Sequence, residues 1–180
     1  MADSLPPQSH ILLSEARIQA RVRELGEQIT DHYRGRQPLL LGVMNGALFF
    51  LADLLRAIDL PTEMTTIRLA SYSGTLSTGR ILGLDALEQP LAGKPVLIVD
   101  DILDTGLTLA ELAGRLRDLG AEDVRICVLL SKQRPRSRPV HADWIGFDIP
   151  DVFVVGYGLD HDGQYRGLRD IRELPSPAQA

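Results

Sequence analysis

The chain has 180 residues, with 19 Lys and Arg, 24 Asp and Glu, and one cysteine. This length is typical of one domain, so we predict a single domain over residues 1–180. The composition, 44% hydrophobic and 24% charged, excludes disorder as the main state. Cys127 has no partner cysteine, which excludes a disulfide framework and fits a reducing compartment. The net charge of −5 disfavours a nucleic-acid partner, because such proteins usually carry a basic excess.

No segment of the sequence resembles a leader or a membrane span. Residues 1–10 are polar and lack the apolar core of a signal peptide. The most apolar run, residues 38–55, is interrupted by Asn45, Asp53 and two glycines, whereas a spanning helix needs about 20 mostly apolar residues. We therefore expect a cytoplasmic protein with no membrane partner.

In chain order, the first predicted element is a helix capped by Ser14, with apolar residues at helical spacing up to Ile29 and an end near Gly35. Segment 71–79 is rich in serine, threonine and glycine, and we predict a mobile loop there. The third predicted helix in the chain should carry the stripe from Leu109 to Leu119. The remaining predicted elements are strands over 38–43, 62–70, 96–99, 124–130, 144–147 and 152–155, and a helix over 46–58. This alternation indicates an α/β fold whose parallel sheet is covered on both faces, with ligands beyond the carboxyl ends of its strands.

A cluster of polar residues follows the most aliphatic strand and leads into a helix. Its members are Asp100, Asp101, Asp104, Thr105, Gly106 and Thr108. Neighbouring carboxylates cost stability unless cations or hydroxyl donors meet them, and the opening of a helix is an anion site. The cluster predicts a ligand with both phosphate and hydroxyls, such as a ribose phosphate. If Asp104 and Thr105 were only helix caps, Asp100 and Asp101 would remain unexplained.

The segment VLIVDDILDTGLTL, residues 96–109, resembles the phosphoribosyl diphosphate (PRPP) motif of type I phosphoribosyltransferases. Over about residues 10–174 the chain resembles the hypoxanthine-guanine members of that family. The resemblance implies a parallel core sheet flanked by helices, with a small hood over the active site. Residues 10–36 and 140–174 would contribute to the hood and base site. The implied reaction moves phosphoribose from PRPP to N9 of hypoxanthine or guanine, giving IMP or GMP and pyrophosphate.

The same resemblance implies roles for individual residues. Asp104 would be catalytic, managing the proton on purine N7. The implied PRPP contacts are Asp100, Asp101, Asp104, Thr105, Gly106, Leu107 and Thr108. Pyrophosphate would be bound by Asn45, Gly46 and Arg166, although many members carry lysine where Asn45 stands. The implied lid residues are Ser71 and Tyr72. Magnesium would be held by Asp100, Asp101 and Asp151.

The base site is expected at Lys132, Trp144, Ile145 and Asp151. An ammonium has donors and no acceptor, so Lys132 suits the 6-oxo group of hypoxanthine or guanine and rejects an amino group. Trp144 would stack on the base, while the main chain near Ile145 and Asp151 would meet its edge. Without the resemblance, Lys132 could be a solvated charge and Trp144 a core residue. Family members form homodimers or homotetramers, and nothing in the sequence chooses between them.

Two other functions share parts of this pattern. A receiver domain pairs acidic residues at the end of its first strand, whereas the pair here follows several elements. The pyrimidine-operon regulator belongs to the same superfamily, binds RNA and has uracil phosphoribosyltransferase activity. Such a protein needs a basic face, and the sequence pI of about 5.3 disfavours one.

Overall fold

The structure, a computed structural model, describes residues 9–68 and 91–175. These residues form strands and helices that alternate along most of the chain. In order they are β1 (His10–Leu13), α1 (Glu15–Tyr33), β2 (Leu39–Met44), α2 (Leu48–Ala57), β3 (Glu63–Arg68), β4 (Pro95–Leu103), α3 (Leu107–Asp118), β5 (Asp123–Lys132), β6 (Trp144–Ile149), β7 (Phe153–Val155) and β8 (Ile171–Leu174).

Five of the strands form one parallel sheet in the order β3-β2-β4-β5-β6. After β2 the chain adds β3 on one side and then crosses over to place β4 on the other. The carboxyl ends of β2 and β4 therefore flank the point where the strand order reverses, which is where open α/β sheets bind ligands. The predicted α/β fold with a parallel core sheet is confirmed.

Helices cover both faces of this sheet. Alternate residues of β4 enter opposite apolar layers, with Leu97 on one face and Ile98 on the other. The first layer includes Leu25 of α1 and Leu54 of α2, and the second includes Leu112 of α3. Because β4 is central and buried on both faces, the polar residues at its carboxyl end are held on a rigid strand.

A second, three-stranded antiparallel sheet has the order β1-β8-β7 and joins the two ends of the described chain. We call it the hood sheet. Neither β1 nor β8 was predicted, because each has only four residues and pairs with a segment distant in sequence. Val154 and Ile171 of the hood sheet are buried in the same apolar layer as α1.

The predicted boundaries differ from the observed ones in an instructive way at β4. Its predicted end was residue 99, yet the strand continues to Leu103 because pairing with β5 persists through Asp100 opposite Val128 and Ile102 opposite Leu130.

Ser14 caps α1 as predicted, its hydroxyl accepting from the N–H of Arg17 at 3.4 Å. The predicted loop 71–79, with Ser71 and Tyr72, lies outside the described residues. Within 9–68 and 91–175, no helix is long and apolar enough to cross a membrane.

Candidate active site

Three chain segments meet at the reversal point of the sheet, and glycines allow them to approach. A Cβ at Gly46, just after β2, would overlap the carboxylate of Asp101 near the end of β4. A Cβ at Gly158, after β7, would overlap the carbonyl oxygen of Gly46. Gly158 also has φ +106°, a conformation that favours glycine. The loop after β2, the acidic pair and the segment after the hood strand β7 therefore share one crevice.

The acidic pair at the end of β4 is buried. Asp100 is 8% exposed, and its Oδ1 accepts from the N–H of Asp101 at 2.9 Å. Burial and the neighbouring charge of Asp101 raise the pKa of Asp100 well above its usual range. Burial also raises the pKa of Asp101, while the hydrogen bond with Asp100 and the charge of Arg166 act in the opposite direction. Such a pair favours a cation or hydroxyl donors beside it.

These two carboxylates suit a divalent cation that a substrate also ligates. Among the described residues, no group of three or more His, Cys, Asp or Glu side chains could hold a metal ion. Mg²⁺ is commonly bound by one or two carboxylates together with phosphate oxygens and water. Asp100 and Asp101 fit that requirement, because they are two adjacent hard oxygen donors at the edge of an anion site.

The opening of α3 offers free backbone donors. Its N-cap is Gly106, with φ +79°, and no side chain bonds to the first N–H groups of the helix. The interpretation of Asp104 and Thr105 as mere caps is therefore wrong. A Cβ at Gly106 would lie 2.5 Å from Cγ1 of Val140, so the backbone at Gly106 packs closely against Val140. Leu107 and Thr108 are exposed in the first turn, where N–H groups and the helix dipole favour an anion.

Asp104 belongs to a four-membered ion network. Lys132 Nζ lies 3.6 Å from Asp104 Oδ2 and 3.2 Å from Asp151 Oδ1. Arg134 Nη1 lies 3.1 Å from Asp104 Oδ1 and 3.4 Å from Asp151 Oδ2. The side chain of Lys132 is only 13% exposed, so it is not one more solvated surface charge. The structure thus brings Asp104, Lys132 and Asp151 together.

The position of Asp151 between two cations argues against its predicted role as a metal ligand. Each of its carboxylate oxygens contacts one of them, Lys132 or Arg134. A third cation would have to displace these contacts and would meet their repulsion. In this structure Asp151 instead anchors Lys132 beside Asp104.

Asn45 lies beside a cation that the sequence analysis missed. The peptide bond between Met44 and Asn45 is cis, and Asn45 Oδ1 accepts from Nη2 of Arg68 at 3.2 Å. Arg68 ends β3 directly opposite Met44 in the register. Only the pairing of β2 with β3 shows this proximity. Arg166 completes this side of the crevice, because it donates to the carbonyl of Gly158 at 2.7 Å and pairs with Asp160 at 2.7 Å.

The predictions for Trp144 and Ile145 are wrong. Trp144 opens β6, five residues before Ile149, which is the partner of Lys132. That separation is about 16 Å along a strand, so Trp144 lies toward the opposite edge of the sheet. Its ring packs on α1, 5.1 Å from the His32 ring. The carbonyl of Ile145 accepts from Nη2 of Arg21 at 2.8 Å and is therefore already occupied.

Phe153 is an exposed aromatic residue close to Asp151, and its sequence context does not single it out. It is 38% exposed and starts β7, two residues after Asp151. The ring of His161 meets it edge-on at 5.2 Å. The segment from Ala142 to Tyr157 contains several aromatic residues, and its composition alone does not show which of them lies at the carboxyl edge of the sheet.

Comparison with known proteins identifies this arrangement. Residues 9–162 match the phosphoribosyl transferase domain model, and the chain belongs to that family. It is 42% identical over 165 residues to the hypoxanthine-guanine phosphoribosyltransferase of Bacillus subtilis, covering 91% of this chain and 92% of the relative.

Solved structures agree with this family. The hypoxanthine phosphoribosyltransferase of Staphylococcus aureus has a TM-score of 0.88 and 36% identity, covering 95% of this chain and 94% of that one. A Trypanosoma cruzi hypoxanthine phosphoribosyltransferase, from work on its C-terminal region, oligomeric state and activity, has a TM-score of 0.86 and 37% identity, covering 92% and 91%. Within the family the chain is therefore grouped with the hypoxanthine-guanine phosphoribosyltransferases, and the RNA-binding regulator is not favoured.

Proposed function

We propose that this protein is a purine-salvage enzyme that transfers phosphoribose from PRPP to N9 of hypoxanthine or guanine, giving IMP or GMP and pyrophosphate. The observation that carries the proposal is the approach of Lys132 to Asp104, 3.6 Å apart, next to the buried acidic pair. A donor-only ammonium and a carboxylate at this spacing suit the 6-oxo group and N7, which lie on one edge of the purine.

The phosphoribosyl half of the site would consist of two parts. Asp100 and Asp101 would hold the ribose hydroxyls, directly or through Mg²⁺, and the backbone and hydroxyls of residues 104–108 would hold the 5′-phosphate. Bound Mg²⁺ neutralises the negative charge that develops on the diphosphate leaving group. This division is supported by the burial of the acidic pair and by the uncapped N-terminus of α3.

The diphosphate would lie against Asn45, Gly46 and Arg166. Asn45 has no charge, and its side chain instead receives a hydrogen bond from Arg68. Arg68 therefore places a guanidinium beside the loop, where it can attract a diphosphate. Among the described residues, Arg68 has no carboxylate partner within 4 Å, and its side chain bonds to Asn45. We infer that Arg68 adds a positive charge beside Asn45 to the one that Arg166 provides on this side of the crevice.

In the base site, Lys132 would donate to the 6-oxo group and Asp104 would manage the proton at N7. Phe153 takes the stacking role first assigned to Trp144, because Phe153 is the first residue of β7, lies close to Asp151 in the chain and has an exposed ring. Aromatic faces stack well on flat bases. Closing the crevice against water would protect the oxocarbenium-like ribose carbon from hydrolysis.

Replacing Lys132 with alanine should weaken turnover of 6-oxopurines and leave PRPP binding intact. A buried carbonyl that loses a charged donor costs on the order of 1.5–3 kcal/mol, or roughly 10–150-fold in kcat/KM. Steady-state kinetics with hypoxanthine, and titration with PRPP and Mg²⁺, measure the two effects separately. Unchanged constants for hypoxanthine would show that Lys132 serves only the ion network.

Gly46→Ala should reduce kcat/KM for PRPP by roughly 10–100-fold, because the new methyl group displaces the Asp101 carboxylate from its position. Gly114→Ala is the matched control. A Cβ at Gly114, inside α3, meets nothing within 4 Å, so that variant should keep full activity and gain about 0.5–1 kcal/mol of stability. Equal activities in the two variants would contradict the close approach of Gly46 to Asp101.

A nucleobase panel tests the proposed function as a whole. Hypoxanthine, guanine, xanthine, adenine and uracil are each supplied with PRPP and Mg²⁺, and nucleotide formation is followed. We expect turnover of hypoxanthine and guanine and little of adenine, because Lys132 offers no acceptor to an amino group. Uracil turnover above that of every purine would overturn the proposal and favour the regulator.

We also propose that the chain is a single domain over residues 1–180, that it works in the cytoplasm and that it forms a homodimer or homotetramer. The proposal of assembly is supported by the family and by the exposed apolar side chains of Leu48 and Met64, which are 49% and 46% exposed. Light scattering on the purified protein gives the mass that distinguishes dimer, tetramer and monomer.

A further inference from the structure

Three successive carbonyl groups at the end of β4 are held by one short segment. Arg136 Nη1 donates to the carbonyl oxygens of Leu103 at 3.0 Å and Asp104 at 2.9 Å. The N–H of the next residue, Ser137, donates to the carbonyl of Thr105 at 3.0 Å. The Arg136 guanidinium is itself fixed, because its Nη2 donates to the hydroxyl of buried Ser131 at 3.0 Å.

The planarity of the peptide bond gives this arrangement a consequence on the other side of the loop. In a trans peptide, the carbonyl of one residue and the N–H of the next point in opposite directions. Within the described chain the one cis bond is Met44–Asn45, so the peptides of this loop are trans. Holding the carbonyls of residues 103–105 toward Arg136 and Ser137 turns the N–H groups of residues 104–106 away from them. Successive N–H groups that share a side form a concavity for anions.

We propose that Arg136 is a positioning residue for the 5′-phosphate: it sets the backbone N–H groups of residues 104–106 without touching the phosphate. This inference rests on the proposal that residues 104–108 hold that phosphate. An arginine is suited to the task because Nη1 of its planar group can hold the two carbonyls while Nη2 is fixed by Ser131. Lysine has one nitrogen on a flexible chain.

The test measures how much a 5′-phosphate contributes to binding. Guanosine and GMP differ by that group alone. The dissociation constant of guanosine divided by that of GMP, from competition or calorimetry, therefore measures the contribution of the 5′-phosphate. Arg136→Gln should reduce this ratio by about 10–50-fold, since the hydrogen bonds that orient the loop are lost. The affinity for guanosine should not change. Arg136→Lys should recover part of the ratio.

Arg138→Gln is the matched control. Arg138 is an exposed residue two positions away, and its replacement removes the same charge without touching the carbonyls of residues 103–105. In Arg138→Gln, the ratio of the guanosine to the GMP dissociation constant should remain within about two-fold of its value in the unaltered protein. Initial rates give an independent readout: Arg136→Gln should raise KM for PRPP and leave KM for hypoxanthine unchanged, a selectivity that general loosening of the fold does not produce.

The possible outcomes distinguish the proposed 5′-phosphate site from the proposed role of Arg136. If the unaltered protein binds guanosine and GMP equally, the 5′-phosphate site itself is misplaced. If it prefers GMP and folded Arg136→Gln keeps the full preference, the role of Arg136 is overturned. If Arg136→Gln does not fold, Arg136→Lys decides, because an undiminished ratio in that variant also overturns the role.

Discussion

Asp104→Asn should lower kcat by roughly 10²–10⁴-fold, the usual contribution of a positioned acid or base, with little change in PRPP affinity. The amide preserves the shape of the side chain but cannot take up the N7 proton. The 5′-phosphate relies on backbone N–H groups that the substitution leaves in place. Stability should change by less than about 1 kcal/mol, because Asp104 is 39% exposed and both Lys132 and Arg134 keep Asp151 as a partner. Single-turnover kinetics and thermal unfolding measure the two quantities.

Asp151→Asn is a stringent control for that experiment. Asp151 contacts the same two cations as Asp104, so both substitutions perturb the network alike. We expect a loss of less than about 10-fold for Asp151→Asn, expressed mainly in KM for the base. Near-normal kcat in Asp104→Asn would show that the proton goes elsewhere. A strong Mg²⁺ dependence of the loss in Asp151→Asn would restore its original assignment as a metal ligand.

Asp100→Asn should make the protein more stable and nearly inactive. Folding raises the pKa of Asp100, so the unfolded chain releases this proton at a lower pH than the folded chain does. The free energy of unfolding therefore falls as the pH rises above the unfolded pKa of about 4. Asparagine removes that cost and still accepts from the N–H of Asp101. We expect a gain of roughly 1–2 kcal/mol in the free energy of unfolding at pH 7 without ligands. The loss in kcat/KM for PRPP should be about 10²–10³-fold, since charged acceptors for hydroxyls or Mg²⁺ are lost.

Urea unfolding without ligands and kinetics with PRPP and Mg²⁺ test both halves. Asp59→Asn, at an exposed carboxylate after α2, removes the same charge and should leave stability within about 0.5 kcal/mol. A destabilised Asp100→Asn protein would show that the carboxylate is needed for folding, contrary to its burial beside Asp101. Full activity would remove Asp100 from the substrate site.

The sequence was most informative where local chemistry determines structure. The aliphatic run of β4, the stripe from Leu109 to Leu119 and the cap at Ser14 each depend on nearby residues, and each was found, except that Leu119 is 51% exposed just beyond the end of α3. The polar cluster after β4 was also found, because adjacent carboxylates at a strand end need an explanation. The predicted end of β4 was too early because its continuation depends on pairing with β5, not on its own composition.

The failures concern relations between distant segments. Trp144 and Phe153 are both aromatic residues in one segment, and only the register of β6 against β5 shows that Trp144 lies far from Lys132. Arg68 is linked to Asn45 across β2 and β3, and Arg136 reaches Asp104 from 32 residues away. Such contacts follow from topology and rotamers, which residue type and spacing do not specify.

The hood sheet also has a consequence for the order in which the protein is made. Its middle strand, β8, is the last of the described strands in the chain, and β1 is the first. The five-stranded sheet is complete once β6 has been synthesised, whereas β1 and β7 have no strand partner until β8 emerges. Pairing across such a sequence distance is slow compared with local folding. During translation, the sheet that carries the acidic pair can therefore form first, and the hood sheet is added only after β8 has been synthesised.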